Sequence, residues 1–473
     1  MSVSEATTAD PPAAVPVNVR WTLLGVMLAM LLAVLDTNVV GTAMPTIVGD
    51  LGGLGHISWV VTTYALTTAV ATPIWGKLGD LYGRKRLFLA SIAVFLAGSA
   101  LCGTAWSMPS LIGFRALQGA GAGGLAAGAL ALIGSLVPPR ERGRYQGMTA
   151  IVMAVGTVAG PWFGGLLTEH LGWRAAFFVN LPLGLIAFVW VAIMLRLPVV
   201  RGRARIDWAG ILLLTTAITA LTLGASWAGS TYAWSSWPIL ALGGLAVAAT
   251  AGFVAWEKRA AEPVLPPRMF TGQRNFPLSV GALAAVGAVM FGCTLYVPLF
   301  QQTVQGASAA DSGLLLLPMA LPVAVVSTLA GKYISRTGRY RALPIVGTAL
   351  LTIGTFLLST MDTGTSFTLA SVYLAVIGAG LGLTMQVSGT IAQNSAQPAD
   401  MGAASAAITL FRTLGGSVGV AVFGGLLTSA TAGSSASHQA LATGTSHIFL
   451  LASAVCAAAF VLACCLDEVP LRK

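Results

Sequence analysis

Charge is what this chain has least of. Only 8% of its 473 residues are Asp, Glu, Lys or Arg, against about 25% in an ordinary soluble domain. The hydrophobic share is 56%, which excludes a soluble globular protein and makes this an integral membrane protein. Metal and redox chemistry find little to work with. The five cysteines (Cys102, Cys293, Cys456, Cys464, Cys465) lie in apolar runs without metal-ligand spacing and read as packing residues. His56, His170, His438 and His447 fall near the ends of such runs or between them, which disfavours a histidine relay. No run alternates in polarity as the strands of a membrane barrel do. Residues 1–20 supply no basic n-region, and the apolar run that follows is too long for a cleaved signal peptide.

What is there instead is a succession of fourteen apolar windows. Each is near the roughly 20 residues that a helix needs to cross the hydrocarbon. The windows are 21–43, 57–75, 87–106, 111–136, 145–168, 175–197, 208–227, 237–256, 276–300, 312–333, 342–361, 366–391, 403–427 and 448–466. The formal charge of +10 from 25 basic and 15 acidic residues could indicate an anionic partner such as nucleic acid, but its placement argues otherwise. With the N-terminus inside, nearly all Lys and Arg fall in loops or tails on the cytoplasmic side, leaving Arg174 near the outer face and Arg115 and Arg412 within helices. That is the positive-inside bias. The basic balance therefore reports topology: a multi-pass protein with both termini cytoplasmic, whose surroundings are the lipid bilayer and which has no nucleic-acid partner.

The chain repeats itself. Residues 76–86 (GKLGDLYGRKR) match residues 331–341 (GKYISRTGRYR) in Gly, Lys, Gly, Arg and Arg at one spacing, an offset of 331 − 76 = 255. Residues 156–165 (GTVAGPWFGG) resemble residues 416–425 (GSVGVAVFGG) at an offset of 416 − 156 = 260. Two matches at nearly one offset indicate an internal repeat, a common plan of transporters that rock one bundle against another. Six windows end near residue 197, so a simple duplication would give a smaller offset, and the windows at 208–227 and 237–256 account for the excess. The expected organisation is a disordered cytoplasmic tail (1–20), a six-helix bundle (21–198), a linker carrying two additional helices (199–275), a second six-helix bundle (276–466) and a tail (467–473).

Among the acids, only Asp36 lies well inside an apolar run. A charge at that depth costs at least about 2.5 kcal/mol and by default marks an ion or substrate pathway. At the helical rise, Asp36 lies about 13 Å below Pro45 and Arg115 about 9 Å below Pro109, so the two are at similar depth. They form either a fixed structural ion pair or a functional one, and intramembrane charges are usually functional. A carboxylate near a cation prefers to be ionised, while burial favours its neutral form. A site alternating between wet and dry access can use both tendencies, exchanging a proton for a substrate that the ionised carboxylate holds if it is cationic.

Further residues carry weaker signals. Asp80, between Gly76, Gly83 and Arg84, can cap a neighbouring helix or pair with Arg84 as a latch on the cytoplasmic side, where a plain solvated turn would explain the basic residues alone. Gly156, Gly160 and Gly164 recur every four residues, with Gly165 adjacent, and Pro161 interrupts the hydrogen-bond ladder, which permits close helix contact and a bend. Gln386, Gln393, Asn394 and Arg412 either line a cavity or bond across helices. Trp59, Tyr64, Tyr296 and Gln301 either meet a hydrophobic ligand or anchor at the interface.

Together these elements resemble the major facilitator superfamily, and within it the fourteen-helix drug/proton antiporter family. Residues 35–45 (LDTNVVGTAMP) are similar to that family's helix 1 motif, and residues 76–86 to its loop motif. Residues 114–121 (FRALQGAG) are similar to its helix 4 proton-relay motif, and residues 156–165 to its antiporter motif. The resemblance implies proton coupling at Asp36, a relay role for Arg115, gating by Asp80 with Arg84, and direction-setting by Gly160 and Pro161. It makes Asn38 and Gln118 candidates for the substrate cavity. Asn38 and Gly41 stand where the family commonly has Thr and Asn, Ser135 stands where it often has an acid, and residues 366–391 contain no acid, which disfavours dicationic substrates. The expectation is an all-α major facilitator fold. It is not an enzyme, needs no cofactor beyond the proton gradient, and works as a monomer in a bacterial-type plasma (inner) membrane. It exports amphipathic or cationic small molecules in multidrug efflux. A dedicated exporter of one metabolite, lipid or self-made antibiotic keeps the same fold, and a non-transporting receptor or scaffold is the rival from another class.

Overall fold

The computed structural model describes residues 19–52, 57–197, 206–229, 231–305, 316–362, 364–431 and 438–469. Most of the expected N-terminal tail, the first part of the linker and the last residues of the C-terminal tail lie outside them. Helices make up nearly all of what is described, and apart from one isolated bridge between Ala228 and Tyr232 the described residues contain no strand.

In chain order the helices are α1 Val19–Leu51, α2 Ile57–Tyr82, α3 Arg84–Gly103, α4 Met108–Leu136, α5 Pro139–Leu171, α6 Ala175–Phe178, α7 Asn180–Met194, α8 Trp208–Trp227 and α9 Trp237–Glu257. They continue as α10 Arg268–Thr271, α11 Asn275–Val304, α12 Leu317–Thr337, α13 Ala342–Ser359, α14 Phe367–Ser395, α15 Met401–Thr431 and α16 His438–Cys464. Twelve spans, one of them α6 and α7 together (Ala175–Met194), are long and apolar enough to cross a membrane, and α5 makes a thirteenth as a bent pair. The expected fourteenth, α2, has 26 residues and falls outside that set, with Thr62, Thr63, Thr67, Thr68 and Thr72 along its length and Lys77 and Asp80 in its last turns. Its threonine hydroxyls fold back onto carbonyls one turn earlier, as Thr67 does on Thr63 and Thr72 on Thr68.

Helices α1 to α7 pack chiefly on one another, as do α11 to α16. The two sets meet where α5 lies on α12 and α15 lies on α2 and α4, while α8 and α9 pair together and α8 rests on α2 and α15. Glycine sets these distances. A Cβ at Gly76 would stand 2.6 Å from the Gly402 carbonyl, and one at Gly331 would collide with the Gly143 carbonyl. These two crossings are related by nearly the repeat offset (331 − 76 = 255 and 402 − 143 = 259) and lie at the end of the molecule that carries the basic loops. Gly83, with φ of +99°, turns the chain between α2 and α3, a conformation that residues with a Cβ rarely adopt.

Helix α5 bends by 40° between Thr157 and Trp162, where Pro161 removes a backbone donor. Its glycines face α1: Gly156 lies against Val34, Gly160 against Asn38, and Gly164 against Val39 and Thr42. Gly165 faces open space. Replacing Gly160 by Ala puts a Cβ 2.5 Å from that of Asn38 and is expected to destabilise the protein by about 1–3 kcal/mol through overpacking, whereas Gly165→Ala is neutral or slightly stabilising. Thermal melting of the two purified variants in detergent checks this, and equal midpoints would contradict the packing.

Candidate functional site

A deeply buried polar cluster forms around Asp36, midway along α1 and 1% exposed. Arg115 of α4, also 1% exposed, donates from Nη1 to Asp36 Oδ2 at 2.6 Å and to Gln118 Oε1 at 2.8 Å. The second carboxylate oxygen accepts from Gln118 Nε2 at 2.7 Å and from Asn180 Nδ2 at 2.9 Å. Asn180 also donates to Ser99 Oγ, whose hydroxyl donates to the Phe177 carbonyl at 2.9 Å. The guanidinium lies 3.9 Å from the centre of the Tyr64 ring, a cation–π arrangement. Both carboxylate oxygens are thus engaged by three donating residues, the condition under which a buried charge is tolerable.

Local sequence explains why these side chains converge. Arg115 and Gln118 lie three apart on α4 and so share a face. Gly98 and Gly119 remove the Cβ atoms that would hold α3 and α2 away from that face, since a Cβ at Gly98 would meet the Gln118 backbone. Asn180 opens α7 immediately after the break at Val179 that ends α6. From there its amide reaches the carboxylate.

At the basic end, Asp80 pairs with Arg84 and caps a neighbouring helix. It accepts from Arg84 at 2.8 Å, its closer contact, and from the backbone N–H groups of Gly402 (2.8 Å) and Ala403 (3.1 Å). It therefore sits on the N-terminus of α15, where partial positive charge favours an anion. Arg84 also donates to the Pro398 carbonyl, and Arg268 pairs with Asp400 at 2.7 Å. A second set of bonds crosses nearby: Gln146 Nε2 donates to Gln393 Oε1 at 3.0 Å, Thr390 to Gln146, and Arg142 to Asn394 at 2.7 Å. At the opposite end, Asp50 accepts from Trp173 Nε1 and Arg174. Those two hydrogen bonds hold its carboxyl below the usual carboxylate range.

The other sequence candidates divide. Gln118 and Tyr64 belong to the Asp36 cluster, and Gln386 and Arg412 line an internal cavity between the two helix sets. Asn38 does not reach it: its amide donates to the Val34 carbonyl one turn back, and its Cβ packs against α5 at Gly160. Trp59 stacks edge-on with Trp227 of α8, and Tyr296 donates to the Val420 carbonyl beside Phe423. Gln301 is buried with its Nε2 unpartnered. Asp36 is absent from the cavity lining, and in this conformation its oxygens are taken by neighbouring side chains. Sequence reading did not single out Ser99 or Gln146, neutral residues whose burial carries no mark in composition. Asn180 was marked only through the Asn180-Leu-Pro182 element that follows the antiporter motif, without a role.

Charged side chains sealed between the helices of a many-spanning membrane protein mark an ion or substrate pathway by default, and the match to a transporter family makes this chain a membrane transporter, not an enzyme. Comparison with known proteins gives the family: the Major Facilitator Superfamily profile matches residues 26–420, and this chain belongs to that superfamily. It is 40% identical over 496 residues to the uncharacterized MFS-type transporter Rv1877 of Mycobacterium tuberculosis, covering 98% of this chain and 72% of that protein. It is 36% identical to the multidrug transporter protein MdtP of Bacillus subtilis, covering 86% and 74%. The human organic anion transporter MFSD10 superposes with a TM-score of 0.66 over 94% of this chain and 100% of that one, at 15% identity, a likeness of fold alone.

The cluster's energetics are testable. Arg115→Leu strands the buried carboxylate and is expected to cost about 3–5 kcal/mol. Adding Asp36→Leu recovers part of that loss. Melting in detergent reads the order, and a double variant less stable than the Arg115 single variant would contradict the pairing.

Proposed function

We propose that this chain is a proton-coupled antiporter that exports amphipathic small molecules across a bacterial-type plasma membrane by alternating access. Residues 21–198 and 276–466 act as the two rocking bundles, and the segment 199–275 with its two helices spans between them. Both termini are cytoplasmic, following the basic loops, and the working unit is a monomer. The observation that carries the reading is the Asp36 cluster: a dry carboxylate at membrane depth, bonded by Arg115 and two amides. The multidrug names of relatives such as MdtP support efflux as the task.

The proposed cycle uses the competition between desolvation and pairing. In the conformation described, the cytoplasmic side is closed by Asp80 on α15, by the Gln146–Gln393 bond and by the paired glycine crossings. A proton arriving from the outer side neutralises Asp36 and loosens its hold on Arg115. That frees α1 from α4 and α7 and lowers the cost of rearranging the bundles. Asp80 and Arg84 act as the cytoplasmic latch, and the bend at Gly160 and Pro161 lets α5 follow α1. Opening to the cytoplasm wets the cluster, Asp36 releases its proton there, and substrate enters the cavity.

Two measurements test this. In proteoliposomes carrying a pH gradient, Asp36→Asn is expected to lose proton-driven export by at least about tenfold, the rate equivalent of 1.36 kcal/mol; full proton-driven export by this variant would refute the coupling assignment. Asp80→Asn removes the charge but not the shape of the latch. It is expected to raise thiol labelling of a cysteine placed at Ser395, at the cytoplasmic mouth, severalfold, and unchanged labelling would remove Asp80 from the gate.

A further inference from the structure

The cavity between the two helix sets holds one cation and no anion. Its walls come from both sets: Met30 and Met153 from the first, and Leu283, Met385, Gln386 and Arg412 from the second. No lining residue is acidic. Among the described residues Arg412 makes no ion pair and has no hydrogen-bond partner, unlike Arg115, whose charge is met by Asp36. The root of the Arg412 side chain is fixed, because α15 approaches α11 so closely that a Cβ at Gly287 would collide with the Arg412 carbonyl.

An uncompensated guanidinium at membrane depth is costly. Its planar fork is suited to carboxylate, sulfonate or phosphate oxygens, and charge-assisted pairs of this kind are among the stronger hydrogen bonds. The rest of the wall is mostly apolar, with neutral amides and hydroxyls from Gln146, Gln386, Gln393, Thr149 and Thr409 and with methionines whose unbranched side chains reshape around different ligands. As described, the cavity holds about 40 Å3, room for water and not for a drug-sized molecule, so it is contracted in the conformation closed at the cytoplasmic side. We infer that the transported substrate is an amphipathic anion, an apolar body bearing one carboxylate or sulfonate group, and that Arg412 is its counter-ion.

This rests on the export reading above and narrows it. A cationic compound would meet a like charge here, with no carboxylate free to offset it. Exchange of an anion outward for protons inward also moves net positive charge inward at any stoichiometry. Such export is therefore driven by membrane potential as well as by the pH gradient.

The test uses a pair of probes matched in shape and opposite in charge, naphthalene-sulfonate and naphthyl-trimethylammonium, titrated into the full-length protein in neutral detergent. The sulfonate is expected to bind at least about tenfold more tightly than the ammonium. Arg412→Gln is expected to weaken sulfonate binding by at least about tenfold, equivalent to 1.4 kcal/mol, without weakening ammonium binding. Arg412→Lys, which keeps the charge, retains most of the sulfonate affinity and guards against a folding defect in the Gln variant. No saturable sulfonate binding, ammonium binding as tight as sulfonate, or an unchanged sulfonate affinity in Arg412→Gln would each overturn the inference. Asp36→Asn separates the two claims, since sulfonate binding persists there even where proton-driven export is lost.

Discussion

A single charge pair in a medium that does not tolerate charge organises this structure. Asp36 and Arg115 are each 1% exposed, and a pair so buried persists only when its remaining hydrogen-bonding capacity is met. That requirement reaches far along the chain. It fixes Gln118 on α4, draws Asn180 in from the α6–α7 break, and links Ser99 of α3 to the Phe177 carbonyl. Four stretches of sequence are tied to one carboxylate. The glycines at Gly98 and Gly119 let those helices come close enough to serve it.

The same constraint gives the molecule a way to move. A fully satisfied ion pair is rigid, but in the proposed cycle one proton converts it to a neutral acid facing a cation with fewer partners. At the basic end, the bonds from Asp80, Gln146 and Arg142 reach across to α14 and α15, all within the stretch from Thr390 to Ala403. In the proposed cycle, protonation at one depth and latching at another share α1, α4 and α5 as connecting elements, with the bend in α5 falling beside α1 at Asn38.

Much of this was legible in the sequence, and the boundary has a physical basis. Charged residues announce themselves in an apolar run because their cost is large, so Asp36, Arg115 and Arg412 stood out and their depths could be compared. The Asp80 contacts were readable because Asp80 sits among glycines at a fixed spacing. The contacts of Asn180 and Ser99 were hidden, since a neutral polar residue in a membrane helix is common and its partners are distant in sequence. Asn38 misled in the other direction: it satisfies its own amide on the Val34 carbonyl, a local choice open to any helical asparagine. The threonines of α2 satisfy their hydroxyls on its own backbone, a pairing that composition does not display. The enclosure of Asp36 and the placement of Arg412 on the cavity wall were set by tertiary packing, which the sequence pattern does not carry.

The central claim is that Asp36 changes its protonation state as the transporter works. Infrared difference spectroscopy of the reconstituted protein, recorded as the pH on the outer side is lowered, reads this directly. The account predicts a protonated-carboxyl stretching band that appears in the native chain and is missing in Asp36→Asn. A spectrum without such a band, or the same band in both proteins, would contradict it.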